Sequence, residues 1–192
     1  MPLYYVESQP EQGADKYHGA VASGYDAKRE QSPKWTIEQK IIEGWIDELA
    51  DGSWVLDIPC GTGRFFEAYE RNNHCYHGVD KSTAMLEQAA LKANDKARLQ
   101  VGDVRKVPLG DKTVDMAIMC RLTRWLSPED CVKALKELQR VTRKKIVFTA
   151  RVRNHPHART YDLINSALDG WKITKDETGA DMDYRIIMVE PV

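Results

Sequence analysis

From about residue 32 of this 192-residue chain, short apolar segments typical of β-strands alternate with segments in which apolar residues recur at helical spacing. Alternation at this spacing predicts a mostly parallel sheet with helices on both faces. The last two strands lie too close together for a helical crossover, so we expect them to be antiparallel and at or near one edge. The predicted strands span residues 54–58, 74–80, 98–102, 114–120, 145–150, 171–174 and 184–189. The fold class is therefore α/β, with a doubly wound sheet of seven strands and an antiparallel last strand.

Three serines mark the starts of predicted helices, because a serine hydroxyl can cap the free N–H groups of a first turn. Ser32 and Ser127 are each followed by proline, which fits the first helical position, and Ser82 precedes an apolar helical face. Further helices are expected over residues 63–71 and 160–168. We also expect four basic residues to lie at the C-terminus of the helix that begins at Ser127, where the helix dipole favours cations. They are Arg140, Arg143, Lys144 and Lys145.

Length and composition predict one domain over residues 1–192, with an N-terminal lid or helical segment at 1–50 and a core at 53–192. The net charge of −1 gives no general attraction to nucleic acid or anionic membranes. We expect no membrane span and no secretory signal, and therefore a cytoplasmic protein with reduced thiols. The four cysteines are unevenly spaced and form no CxxC pair, so no metal site is predicted.

A glycine-rich turn follows the first strand, in the run from Asp57 to Gly63 (DIPCGTG). In a doubly wound sheet, ligands bind beyond the carboxyl ends of the strands. Gly61 and Gly63 would let the backbone turn tightly against a ligand, and the next helix N-terminus offers N–H groups to a carboxylate. Asp80 ends the second strand, where it could accept hydrogen bonds from both ribose hydroxyls. Asp103 follows the third strand, where the amino group of an adenine would lie.

Two other interpretations of these residues compete with a ligand site of this kind. A dinucleotide-binding domain needs a third small residue in its glycine fingerprint, but Phe66 stands there, and Asp57 would repel a pyrophosphate. Alternatively, Asp57 and Asp80 could each simply cap a turn or a helix, and Asp103 could be an ordinary loop acid. The placement of acids at three successive strand ends favours a ligand over these separate structural roles.

The series VLDIPCGTGR, then GVD at 78–80, then VGDV at 101–104 resembles the motifs of the class I S-adenosylmethionine-dependent methyltransferases, in the order of that family. The resemblance extends over most of the chain, from about residue 25 to 189. It implies a Rossmann-like methyltransferase fold and S-adenosylmethionine as cofactor. The core residues that it implies for cofactor binding are Asp57, Pro59, Cys60, Gly61, Gly63, Asp80, Lys81, Gly102, Asp103, Val104 and Cys120.

The segment Gly24–Arg29 resembles the YD segment that folds over the cofactor in many small-molecule methyltransferases. By this resemblance Tyr25 would present its ring to the sulfonium and Arg29 would pair with the methionine carboxylate. An N-terminal helix with ordinary surface charges is the alternative, and both interpretations stay open.

The acceptor is expected over the ends of the fourth and fifth strands, where the sequence is rich in arginine. There Arg121, Arg124, Arg151 and Arg153 could hold an anionic substrate. If the acceptor needs a base, His155 or His157 lies in the right region, so the catalytic candidates are His155, His157 and Arg121.

The predicted function is a methyltransferase acting on a small metabolite, with an anionic one favoured by the arginines. The alternatives are a nucleic-acid or protein methyltransferase that uses the basic loop at 151–159, and a non-catalytic cofactor-binding protein of the same fold. The sequence indicates neither the acceptor nor the oligomeric state.

Overall fold

The structure, a computed structural model, describes residues 19–151, 160–179 and 182–192. The chain divides into two compact units, Met1–Asp103 and Val104–Val192. The single-domain organisation expected from the sequence stays a prediction.

The first unit holds the N-terminal helices and three strands. Its elements are α1 (Gly19–Ser23), α2 (Tyr25–Glu30), α3 (Pro33–Ile46), β1 (Trp54–Asp57), α4 (Phe66–Arg71), β2 (Cys75–Asp80), α5 (Thr83–Ala90) and β3 (Ala97–Val101). β2 lies between β1 and β3 and is parallel to both. Since Asp57 is in register with Gly78, and Asp80 with Val101, the carboxyl ends of the three strands meet at one edge.

The second unit holds four strands. Its elements are β4 (Val114–Met119), a short 3-10 helix (Thr123–Trp125), α6 (Pro128–Val141), β5 (Thr142–Arg151), α7 (Thr160–Ala167), β6 (Trp171–Glu177) and β7 (Tyr184–Pro191). β4 and β5 are parallel, and β7 lies between β5 and β6, antiparallel to both.

The strand order of the sheet is β3-β2-β1-β4-β5-β7-β6. The predicted fold class is confirmed: the sheet has seven strands, is mostly parallel, and contains a reversed last strand. The reversed strand β7 lies one position in from the edge, and β6 is the outer strand.

The predicted helix starts are present at all three serines. The Ser82 hydroxyl accepts a hydrogen bond from the Met85 N–H at 3.3 Å, and the Ser127 hydroxyl accepts one from the Asp130 N–H at 3.1 Å. Ser32 occupies the N-cap position of α3 without a capping hydrogen bond from its side chain, and Pro33 is the first helical residue.

The placement of three basic residues differs from the prediction. Arg140 lies in the last turn of α6, but Arg143, Lys144 and Lys145 lie on β5. Thr142 is already extended, and it pairs with Val114 of β4, so the strand begins directly where the helix ends. The chain has no loop at this boundary, and the sequence therefore offers no glycine or proline to mark it.

None of the helices in the described ranges is both long enough and apolar enough to cross a membrane.

Candidate functional site

The turn after β1 is folded against the end of β2. Gly61 and Gly63 have φ of +55° and +79°, a left-handed conformation that glycine adopts without strain. The Cys60 N–H donates to the carbonyl of Val79, and the Gly61 N–H donates to Oδ2 of Asp80, both at 2.9 Å. Pro59 lies within this turn, after a cis peptide bond. The predicted turn residues are therefore held at the carboxyl ends of two adjacent strands.

The ring of Phe66 packs over the turn. A Cβ atom on Gly63 would lie 2.6 Å from a ring carbon of Phe66, and one on Gly78 of β2 would lie 3.2 Å from the end of that ring. Gly63 thus makes room for a large aromatic residue, and Gly78 makes room for its tip and for Leu99, whose methyl would lie 2.7 Å away. This packing differs from the close helix-on-strand contact for which a dinucleotide fingerprint keeps a small residue.

Asp57 ends β1 and is buried, with 1% of its surface exposed. Its Oδ2 accepts a hydrogen bond from the Tyr69 hydroxyl at 3.2 Å, whereas Oδ1 has no partner among the described residues. Burial raises the pKa of this carboxyl to about 8; the Tyr69 hydroxyl opposes the shift and the nearby Asp80 adds to it. Asp57 therefore offers a buried acceptor oxygen that a cationic ligand group could satisfy.

Asp80 ends β2 and joins three pieces of backbone. Its Oδ1 accepts from the Ser82 N–H and its Oδ2 accepts from the Gly61 N–H, each at 2.9 Å. Burial raises the pKa of Asp80, and the N–H groups of Ser82, Gly61 and Lys81 oppose that shift. Asp80 therefore caps the backbone at this strand end, and three N–H donors still leave its carboxylate some capacity to accept a hydrogen bond from a ligand.

The ends of β2 and β3 are joined as well. The Gly102 N–H donates to the carbonyl of Asp80 at 3.1 Å, and Lys81 forms an ion pair with Asp103 at 2.9 Å. The structure therefore brings together the predicted cofactor residues of the first unit at one end of its strands. In the second unit, Val104 is buried and Cys120 directly follows β4.

Helix α2 is anchored to the glycine turn. Asp26 accepts a hydrogen bond from the Thr62 hydroxyl at 2.6 Å and forms an ion pair with Lys92, also at 2.6 Å. On the same helix, the guanidinium of Arg29 lies 5.1 Å from the centre of the Tyr25 ring. Tyr25 and Arg29 were predicted from the sequence, whereas Asp26 and Thr62 were not, although they lie within the YD segment and the glycine-rich turn.

Arg64 directly follows the glycine turn and contacts residues of α3. Its guanidinium lies 3.4 Å from the centre of the Trp35 ring and donates to the Trp35 carbonyl at 2.6 Å. It also forms an ion pair with Glu38, whose side chain is fully buried. No sequence pattern indicated this pair, because a glutamate in an amphipathic helix is expected to face solvent.

Arg121 follows β4 by two residues and has a φ of +57°. Its N–H donates to the Thr149 hydroxyl, and its guanidinium donates to the Tyr184 hydroxyl, both at 2.7 Å. Arg124 stacks on Trp125 at 4.5 Å. Thr149 and Tyr184 were not predicted, because they lie on other strands, far away in the sequence.

Other predicted residues of this region lie outside the described part of the chain. They are Arg153, His155, His157 and the side chain of Arg151. Within the described ranges, no group of three or more His, Cys, Asp or Glu side chains could hold a metal ion.

Comparisons with known proteins bear on this arrangement. Residues 55–145 match a family described as a methyltransferase domain.

An uncharacterised protein of Methanocaldococcus jannaschii is 29% identical over 158 residues, which are 79% of this chain and 56% of that protein. A malonyl-[acyl-carrier protein] O-methyltransferase of Hamiltonella defensa is 33% identical over 91 residues, 47% of this chain and 34% of the relative. A mouse 18S rRNA (guanine-N(7))-methyltransferase is 32% identical over 95 residues, with the same two shares. The chain thus spans between a third and about half of these relatives.

Solved structures share the fold. A SAM-dependent methyltransferase from Aquifex aeolicus has a TM-score of 0.66 at 18% identity and covers 88% of this chain and 98% of its own. The 4+2 cyclase SpnF has a TM-score of 0.72 at 14% identity and covers 94% and 95%. The motif order, the match of residues 55–145 to a methyltransferase domain and the fold together support a class I S-adenosylmethionine-dependent methyltransferase.

Proposed function

We propose that this protein transfers the methyl group of S-adenosylmethionine to a small, anionic acceptor. The observation that carries the proposal is the joined end of β1, β2 and β3. There a left-handed glycine turn, a buried acid with an oxygen unpartnered among the described residues, and a second acid lie together.

The residues present fit the cofactor. Oδ1 of Asp57 would accept from the ammonium of the methionine end, and the Gly61–Gly63 backbone would leave room beside it. Asp80 would accept from the ribose, with Asp103 and the backbone at Gly102 beside the adenine. When bound, the cofactor supplies an activated methyl group on a positive sulfur.

The N-terminal helices would cover this end of the unit. The Asp26–Thr62 hydrogen bond holds α2 at the glycine turn, and α2 carries both Tyr25 and Arg29. Closure over the bound cofactor excludes water and fixes the reacting groups, which together supply much of the rate of a methyl transfer. The roles of Tyr25 and Arg29 at the sulfonium and the carboxylate stay predictions, as does a base at His155 or His157.

The nature of the acceptor is inferred from the second unit and from the relatives. Arg121 and Arg124 follow β4, where a guanidinium would attract a negatively charged group. One relative acts on a malonyl group on a carrier protein, and another on ribosomal RNA, so a macromolecular acceptor is the second candidate. The third candidate is a non-catalytic cofactor-binding protein, because a shared fold does not by itself determine the reaction, and one structure with this fold is named as a cyclase. A cytoplasmic location stays a prediction.

Two measurements test the proposal. Titration calorimetry should show binding of S-adenosylmethionine and of S-adenosylhomocysteine, and no binding of either to folded protein would overturn it. Labelled cofactor added to fractionated extract of the source cells should then label a small-molecule fraction. Label in RNA or protein would favour the second candidate, and cofactor binding without any transfer would favour the third.

A further inference from the structure

We propose that Arg121, oriented by Tyr184 and Thr149, binds a carboxylate of the acceptor, and that the methyl group is transferred to a carboxylate oxygen to form a methyl ester. This inference rests on the proposed function and specifies its acceptor. Arg121, Tyr184 and Thr149 all belong to the second unit.

The backbone at Arg121 is fixed in an unusual conformation. A φ of +57° is rare for residues other than glycine, asparagine and aspartate, and it is strained for an arginine. The surrounding structure holds it there, since the Arg121 N–H donates to the Thr149 hydroxyl of β5. The Thr123 hydroxyl donates a hydrogen bond to the Thr149 carbonyl at 2.7 Å, which attaches the same loop to β5. Such a locally strained residue at the end of a strand in an α/β sheet is typical of a functional position.

The guanidinium of Arg121 is oriented as well. It donates to the hydroxyl of Tyr184, and its carbon lies 5.1 Å from the centre of the Tyr184 ring. Tyr184 is itself 7% exposed and begins β7, so it is a rigid partner. A guanidinium has five N–H donors in a planar fork, and this fork matches the two oxygens of a carboxylate. A hydrogen bond that fixes the plane of the fork prepares it for this geometry.

The same short loop carries a second pair of arginine and aromatic side chains. Arg124 stacks on Trp125, and Trp125 is 43% exposed, which is unusual for a large aromatic residue. Two guanidinium groups thus lie within four residues, and the exposed indole offers an apolar contact to the rest of an acceptor. The loop is therefore suited to an organic anion.

With a carboxylate as acceptor, the methyl transfer needs no general base. The carboxyl group is ionised at neutral pH, since its usual pKa is about 4. A lone pair of the carboxylate oxygen forms the new bond to the methyl carbon, the bond from that carbon to sulfur breaks, and its electron pair stays on sulfur as a neutral thioether. No proton moves, whereas a hydroxyl or ammonium acceptor would have to lose one.

The chemistry of the product tests the inference directly. The small-molecule fraction labelled from S-adenosyl[methyl-labelled]methionine is treated with mild alkali, which hydrolyses methyl esters and releases volatile labelled methanol. We expect the label to become volatile. Label that stays non-volatile would overturn the carboxylate inference and leave the proposed function intact. Absence of transfer to any fraction would overturn both.

Variants test the two residues. With the labelled fraction as acceptor source, Arg121→Gln should raise the apparent KM for acceptor by about 10–100-fold, because it loses a charged fork. Tyr184→Phe should raise this KM by about three- to tenfold at nearly unchanged kcat, since it removes one neutral hydrogen bond. Arg143→Gln is the matched control, because this arginine pairs with Asp115 at the other end of β5.

The affinity for S-adenosylhomocysteine, measured by calorimetry on each variant, separates acceptor binding from folding. It should match the unsubstituted protein in all three variants. An unchanged KM in Arg121→Gln, or equal losses in Arg121→Gln and Arg143→Gln, would overturn the role of Arg121.

Discussion

Asp57 is a buried acid that the described part of the chain leaves incompletely hydrogen-bonded. Its pKa in the folded chain is about 8, well above the ordinary value of 3.8. Between about pH 4 and pH 8 the folded state therefore keeps a proton on Asp57 that the unfolded state has released. The stabilising contribution of this proton is complete below about pH 4 and is lost as the pH rises through 8. Asp57→Asn should therefore flatten the stability curve over this range.

The measurement is urea unfolding of the cofactor-free protein from pH 5 to 9. At pH 9 the Asp57→Asn variant should be more stable than the unsubstituted chain by at least about 1–3 kcal/mol, because the buried carboxylate is then charged whereas the amide is neutral. Asp47→Asn serves as control, because Asp47 is a surface residue whose pKa is lowered by Asn72 and Arg71, so its titration ends below this range. Parallel curves for Asp57→Asn and the unsubstituted protein would contradict the prediction.

The two glycines of the turn should differ in their tolerance of a side chain. At Gly63 a Cβ would meet the Phe66 ring at 2.6 Å, whereas at Gly61 the nearest atom is a Met85 methyl at 3.9 Å. Both alanines would suffer backbone strain, at about 1–2 kcal/mol each. Gly63→Ala should cost a further 1–3 kcal/mol or so from overpacking. Thermal unfolding checks the order, and equal losses would show that Phe66 moves aside without cost.

The site residues that could be predicted from the sequence are those whose position depends only on where a strand ends. Asp57, Asp80 and the turn glycines belong to this group, because the position of a strand end is a local property. The pairs Asp26–Thr62, Glu38–Arg64 and Arg121–Tyr184 do not. Their members are 36, 26 and 63 residues apart, and only the tertiary fold determines which of the many charged and hydroxyl groups meet.

At the scale of elements, α2 is a six-residue helix with no buried residue. Apart from the edge-on contact of Tyr25 with Trp35, little packing is visible to hold it, and the Asp26–Thr62 hydrogen bond should matter for its position. We expect Asp26→Ala and Thr62→Val each to weaken cofactor binding, because each removes one partner of this hydrogen bond. In a double-mutant cycle the two should couple by about 0.5–1.5 kcal/mol, the net value of one hydrogen bond.

Calorimetry with S-adenosylhomocysteine on the two single variants and the double variant completes this cycle. Lys92→Gln removes the exposed ion pair of Asp26 and keeps the hydrogen bond to Thr62, so it should change the affinity by less than about 1 kcal/mol. Strictly additive losses from Asp26→Ala and Thr62→Val would contradict the proposed role of this contact in holding α2.

Element types were largely predictable, and one boundary was not. The serine caps at Ser82 and Ser127 are short-range signals, so the starts of α5 and α6 agree with expectation. The passage from α6 into β5 has no turn residue, because pairing with β4 begins at Thr142 itself. A boundary set by a neighbouring strand has no signature in the local sequence.

At the scale of the whole molecule, the charge balance bears on the nucleic-acid alternative. Basic residues of the second unit are paired with acids, as in Arg105–Asp130, Arg140–Asp111 and Lys144–Asp115. With a net charge of −1, we expect weak RNA binding with little dependence on salt. Fluorescence anisotropy with labelled RNA at several salt concentrations measures it. A protein that contacts 6–10 phosphates would lose about 10³–10⁵ in affinity between 50 and 200 mM salt, and such a loss would favour the alternative.

The position of β7 also affects how the chain is made. β7 follows β5 and β6 in the sequence but lies between them in the sheet. Until residues 184–191 have left the ribosome, the apolar strand β5 lacks its antiparallel neighbour and β6 lacks the strand that joins it to the sheet. A ribosome that stalls within this stretch would therefore hold a nascent chain whose exposed strand edges are open to pairing with other chains and hence to aggregation.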